Sequence, residues 1–358
     1  MKKIHFLTTF DYELPLGGVE NFNKGLFEPS DRLIDIGKEL GVPMVFFVDI
    51  LCAVQFEKWD NTGFYIPFKE QIMKMLRHNH DMELHIHPHW LTSEFIEGKY
   101  VHSSDFSLSS FSDSKNGISI PSIVKFAYNK TLELGKCYRD DYNCIAYRAG
   151  GFNLSPNTKE IVESLQKINT LFDSSITKDF YLQLQDNKLD FRKMPRGNFW
   201  KISPTSLRGD MSMKGIVELP IASKPVSAID VIKRRLEKTY KKDELKSRTY
   251  NNTGSGFHSY NKMDINSTIK SIFNPQPLTF DSNHLKVSDL MKIVKYNINL
   301  YKNNEVVFIT AISHPKHIGN YQIGLLTGFV SEMRKTYGDS LEFSTYNSIK
   351  NFFYEDSI

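Results

Sequence analysis

A chain of 358 residues, 40% hydrophobic and 24% charged, has an ordinary globular composition and enough length for one large core. Its net charge of +4 is small for that size and gives no argument for nucleic acid, while leaving room for a mild attraction to an anionic substrate or an anionic membrane surface. Three cysteines without a CxxC pair (Cys52, Cys137, Cys144) argue against a disulfide framework or zinc ribbon, and the opening MKKIHFLTTFDYE turns acidic too soon for a signal peptide, so a cytoplasmic protein without a membrane span is expected.

In chain order, β-rich or apolar runs predict strands at Ile4–Phe10, Pro43–Val48, Met82–His87, Ile145–Arg148, Leu171–Asp173, Ile216–Leu219, Val306–Ile309 and Leu341–Ser344. Helical spacing predicts Asp31–Leu40 after Ser30 as N-cap, then Phe68–Arg77, Ile123–Cys137 and Asn157–Lys167. Longer helices are predicted at Ala228–Lys246, Ser288–Lys302 and Tyr321–Tyr337. Strands alternating with helices imply parallel pairing through crossovers, and seven or eight such units close a barrel more readily than they extend an open sheet. The expectation is an irregular (β/α)7–8 barrel spanning 1–358 as one domain, with insertions near 91–119 and 180–300. Within these, Leu91–Ser119 and Asn251–Ser267 read as surface excursions, either lids or solvated insertions. The charged run Lys233–Arg248 reads first as a solvated helix face, ahead of a membrane or glycolipid contact.

Three of the eleven histidines fall in His85-Ile86-His87-Pro88-His89. On an extended strand residues four apart lie roughly 13 Å from each other, so His85 and His89 can share a metal only if the chain turns after His85. Pro88 suits such a turn, with His87 pointing elsewhere. Asp11 and Glu13 leave the first strand two residues apart, hence on one face, where a cation or an arginine would separate their roles. Tyr147-Arg148-Ala149-Gly150-Gly151 places an arginine beside glycines that permit close backbone approach. Asp173-Ser174-Ser175 and Ser313-His314-Pro315 each follow a strand. Asp11, His85, Arg148, Asp173 and His314 thus end five different strands, and in a parallel barrel those ends converge on the face that carries active sites.

In order, TFDYE, HIHPH preceded by Asn79–Leu84, YRAGG, FDSS and SHP resemble the five motifs of the polysaccharide deacetylase family, the NodB homology domain of carbohydrate esterase family 4. The resemblance runs from Ile4 to Pro315 and is similar to the cytoplasmic branch of O-antigen and surface-glycan clusters. It implies Asp11 as general base, His85 and His89 as metal ligands, and Arg148 orienting Asp11. It further implies Gly150 and Gly151 at the oxyanion, with His314 as general acid tuned by Asp173. One departure is Tyr12, which stands where the family places its acidic metal ligand. Glu13, on the face of Asp11, is the substitute, with Asp11 itself or His87 as alternatives. The extra His87 is expected near substrate or behind the ligands, and Trp90 is available for sugar stacking.

The activity so implied is removal of an N-acetyl group from an amino sugar, free or on a nucleotide or lipid carrier, with Zn²⁺ or another divalent first-row metal as cofactor. Three rivals remain. A deformylase on a formamido sugar-lipid would share the site, and a glycoside hydrolase would need two carboxylates flanking a sugar and no metal. A non-catalytic glycan-binding barrel would keep the fold alone.

Overall fold

The protein, seen in a computed structural model, is described at residues 2–15, 21–97, 99–114, 117–184, 187–250 and 272–354. The expected excursion Asn251–Ser267 lies outside the described residues. One sheet takes strands from both ends of the chain: β1 (Lys3–Tyr12), β2 (Met44–Asp49), β3 (Asp81–Ile86), β4 (Ala146–Ala149), β5 (Phe172–Asp173), β6 (Ile216–Glu218) and β7 (Val306–Ser313). Their spatial order is β6-β5-β4-β3-β2-β1-β7, parallel throughout. A short strand, β8 (Leu341–Phe343), pairs with the lower half of β1, and Trp200–Ile202 adds an antiparallel edge to β6.

The two ends of this sheet meet. Ile221, three residues beyond β6, bridges in parallel to both Thr177 and Thr310, and Ala222 N–H donates to Thr310 O at 2.9 Å. Leu278 wedges in above, donating to Ala222 O and accepting from Ile312 N–H. The expected irregular barrel is therefore present, with seven parallel strands among the described residues and a seam closed by single bridges rather than a ladder.

Alternation along the strands divides the apolar side chains into two sets. Phe10, Phe46, Leu84 and Ile309 join the helix residues Leu33, Ile72, Val124 and Phe329 in the larger cluster. Leu7, Val45, Phe47, Phe172, Val217 and Phe308 form a smaller one inside the sheet, with Tyr346 and Ile349 of the C-terminal segment packed against it. The main covering helices are α1 (Glu28–Leu40), α2 (Ile50–Trp59), α3 (Ile66–Arg77), α4 (Ile120–Lys136), α5 (Thr158–Lys167), α6 (Ala228–Tyr240), α7 (Lys242–Ser247), α8 (Val287–Leu300) and α9 (Asn320–Tyr337).

Two helix expectations change. Helix α2 has no predicted counterpart: ILCAVQ is almost uniformly apolar, so burial on most sides removes the periodicity that marks a surface helix. The single helix expected over Ala228–Lys246 is two, broken at Lys241. Among the described residues no helix is long and apolar enough to cross a membrane.

Candidate metal and acid–base site

Every barrel strand delivers an ionisable side chain at or just past its C-terminal end: Asp11, Asp49, His85, Arg148, Asp173, Glu218 and His314. Parallel pairing sets them side by side, with Asp49 opposite His85, His85 opposite Arg148, and Glu218 opposite Asp173.

The Arg148 guanidinium is fully buried and organises one half of the site. Its Nη1 donates to Asp11 Oδ1 at 2.6 Å, its Nε to Ser174 O at 2.8 Å and its Nη2 to Ser174 Oγ at 3.0 Å. Its face lies 4.1 Å over the Phe47 ring. A planar donor fork fixed on three sides orients the Asp11 carboxylate. Behind it sit Asp173 and Glu218, both fully buried. Burial, then the charge of Asp173, pushes Glu218 well above the usual carboxylate range.

The other half surrounds Glu13. His87 Nε2 lies 2.5 Å and His85 Nε2 3.2 Å from Glu13 Oε2, and the two imidazole nitrogens are 3.0 Å apart. Lys316 Nζ donates to Glu13 Oε1 at 2.6 Å. His85 Nδ1 lies 2.8 Å from Arg148 O. A carbonyl only accepts, so Nδ1 carries a proton, which leaves Nε2, the nitrogen facing Glu13 and His87, as the one that would bind a cation once it gives up its own proton. Burial alone would raise Glu13, but Lys316, His87 and the imidazole hydrogen bonds hold it well below its usual range. Burial likewise lowers His85, but Glu13, Asp11 and Asp49 together raise it.

These donors suit a divalent cation. One carboxylate oxygen and two imidazole nitrogens lie within 4.8 Å of one another, compatible with ligand bonds of about 2 Å to a shared ion. Nearby, Asp49 Oδ1 and both ring nitrogens of His89 are buried without a hydrogen-bond partner, so polar capacity exceeds what the protein itself satisfies.

His314 closes the site from the β7 side. Its Nε2 is 3.7 Å from Asp11 Oδ2 and 3.9 Å from Glu13 Oε1, while its Nδ1 meets Asp281 Oδ2 at 2.7 Å. Burial lowers the imidazole, but the hydrogen bond and charge of Asp281 outweigh it and the balance is raised. Burial opposes the shift at Asp281 too, yet His314 brings that carboxyl down to about 2.

Three sequence expectations are corrected. His87, not His89, faces Glu13 with His85. The backbone stays extended through His87 (φ −110°, ψ 95°), so alternation puts residues 85 and 87 on one face, and the turn begins only at Pro88. His89, in that turn, packs at tilted angles among Trp90, His102 and Phe106 at ring-centroid distances of 4.9, 5.2 and 5.1 Å. The excursion at 91–119 supplies His102 and Phe106, and so claims His89. Next, Asp173 is not the partner of His314. It accepts from Ser175 N–H and Oγ behind Arg148, and Asp281 takes the expected place. Finally, Trp90 is buried within an aromatic cluster and gives its Nε1–H to Asp49 Oδ2 at 2.6 Å, so its ring presents no stacking face.

Gly150 approaches His87 so closely that a Cβ there would lie 2.4 Å from Ile86 O and 2.9 Å from His87 Nδ1, and Gly151 takes φ 58°. Gly150 therefore admits no Cβ, a side chain at Gly151 would be strained, and the chain passes directly over the His87 imidazole. The sequence reading missed Asp49, Lys316 and Asp281. Asp49 directly follows the predicted second strand. Asp281 ends Thr279-Phe280-Asp281, a repeat of Thr9-Phe10-Asp11 inside the stretch read as an insertion.

No family model matches the chain, and neither does any curated protein sequence. Among solved structures, a Mycobacterium smegmatis protein provisionally assigned as a polysaccharide deacetylase is similar at 13% identity over 98% of this chain and 90% of that one, with TM-score 0.45. A Pseudomonas aeruginosa PAO1 protein of the same provisional assignment is similar at 12% identity, 99% and 92% coverage and TM-score 0.47. The Puue allantoinase gives 13% identity, 97% and 89% coverage and TM-score 0.45. Likenesses this distant add nothing to the barrel, which rests on its own strand pairing.

Proposed function

We propose that this chain is a metal-dependent hydrolase of the polysaccharide deacetylase type, removing an N-acetyl group from an amino sugar during surface-polysaccharide (O-antigen or capsule-like) biosynthesis. The observation that carries the chemistry is the convergence at one barrel end of three elements. These are an arginine-held aspartate (Asp11–Arg148), a carboxylate–imidazole trio (Glu13, His85, His87) and an aspartate-backed histidine (His314–Asp281). The five ordered sequence motifs support the sugar amide as substrate.

Glu13, His85 and His87 would hold the cation, Zn²⁺ or another divalent first-row metal, with Asp49 and His89 close by. When bound, such an ion supplies polarisation of an amide carbonyl and acidification of water. Asp11, fixed by Arg148, accepts the proton of the attacking water. The His314 imidazolium, kept protonated to higher pH by Asp281, gives a proton to the departing amine. The backbone at Gly150 and Gly151 lines the place where the oxyanion develops.

The test is acetate release from N-acetylated amino sugars, free, nucleotide-linked and lipid-linked. Protein stripped by a chelator and then reloaded with Zn²⁺ is compared with stripped protein. Release restored by metal is expected; chelator-insensitive turnover, or none with any acylated sugar, would overturn the proposal. Measuring formate alongside acetate separates a formamido substrate from an acetamido one.

A further inference from the structure

Helix α6 is amphipathic with its polar side turned inward. Its half-buried positions are Asp230, Val231, Arg234 and Glu237, and the three polar ones line a groove with His284, Leu285 and Asp289. Its apolar side chains Ile229, Ile232, Leu236 and Tyr240 are 76, 60, 51 and 82% exposed. Spacings of three and four residues stack them into one stripe, where an ordinary surface helix would present charges. A Ser227–Asp230 capping box fixes the start of the helix, so the stripe is displayed on a formed element.

Charge selects what covers it. At 3.6 residues per turn, Lys233 borders one side of the stripe and Arg235 the other. Residues 228–248 hold eight Lys/Arg against four Asp/Glu, an excess equal to the net +4 of the whole chain. A second copy placed stripe to stripe would press these basic rims together, whereas an anionic surface takes both the rims and the stripe.

We propose that α6 is an interfacial helix that lays Ile229, Ile232, Leu236 and Tyr240 into the headgroup region of an anionic bilayer. Its placement joins docking to the site. Asp230, Arg234 and Glu237 of α6 share their groove with His284, three residues beyond Asp281, which holds His314. On the hydrolase reading above, docking brings the site to the lipid surface and favours a lipid-carried sugar over a free one.

Flotation of the full chain tests this, with vesicles of phosphatidylcholine alone against equimolar phosphatidylcholine and phosphatidylglycerol. Wild type is expected to float with the anionic vesicles and stay behind with the neutral ones. I232S/L236S weakens that binding about tenfold or more. K233E/R235E removes the preference for phosphatidylglycerol. All these side chains are exposed, so thermal unfolding stays that of wild type. Wild type remaining in solution with both vesicles, equal binding to both, or a stripe variant that floats like wild type each overturns the proposal. So does a dimer in solution that I232S/L236S abolishes, which would give the stripe to a second copy. Flotation needs no turnover, so failed docking leaves the hydrolase reading standing, and a protein inactive on every amide can still float.

Discussion

Two acids at the end of one strand, Asp11 within it and Glu13 just past it, sit in opposite surroundings. Asp11 meets a guanidinium that is itself immobilised by Ser174 and Phe47 and belongs permanently to the protein. Glu13 meets two imidazole nitrogens that also face each other, with Lys316 on its far oxygen. On the first side the countercharge is built in. On the second, electron-rich atoms converge on a point that a small cation can fill. The same residue class at the same strand end thus acquires a positioning partner in one case and a ligand role in the other, through neighbours contributed by β3, β4 and the loop after β7.

The contrast breaks most sharply at Asp11. Asp11→Asn should retain zinc, measured by elemental analysis, and lose about 10²- to 10⁴-fold in turnover, the usual contribution of a positioned base; undiminished acetate release would take the base role from Asp11. Arg148→Met should lower stability by about 3–5 kcal/mol in a denaturant titration, since it strands a buried carboxylate without its partner; an unchanged midpoint would show that the pair is not what holds this half together. His87→Ala should weaken zinc binding about a hundredfold or more while His89→Ala leaves it near wild type, by competition with a chromogenic chelator. The reverse ranking would mean that the histidine turn re-forms around the ion with His85 and His89 as its pair. The mildest effect is expected at Asp281→Asn. Asp281 raises His314, so the imidazolium persists to higher pH; without that charge the alkaline limb of the kcat/KM profile moves to lower pH, and an unmoved limb would assign it to another group.

Strand runs such as Ile4–Phe10 and Met82–His87, and the parallel alternation, were readable because a barrel buries both faces of its strands and its crossover helices keep one apolar stripe. Helix α2 was not readable, because burial on most sides erases that stripe. Local spacing likewise brought Asp11, Glu13, His85, Arg148 and His314 into view, as residues at strand ends that parallel pairing carries to one rim. What spacing left open was the partner of each: His87 in place of His89 follows from one more extended residue before Pro88, together with an aromatic excursion that packs over His89.

From the chain alone came the period of the elements and the residue types at strand ends, both set by nearest neighbours in the backbone. The seam through Ile221, the pairing of His314 with Asp281 thirty-three residues earlier, and the outward stripe of α6 were decided only by tertiary packing. Each depends on which distant surface a segment meets, and no local periodicity records that.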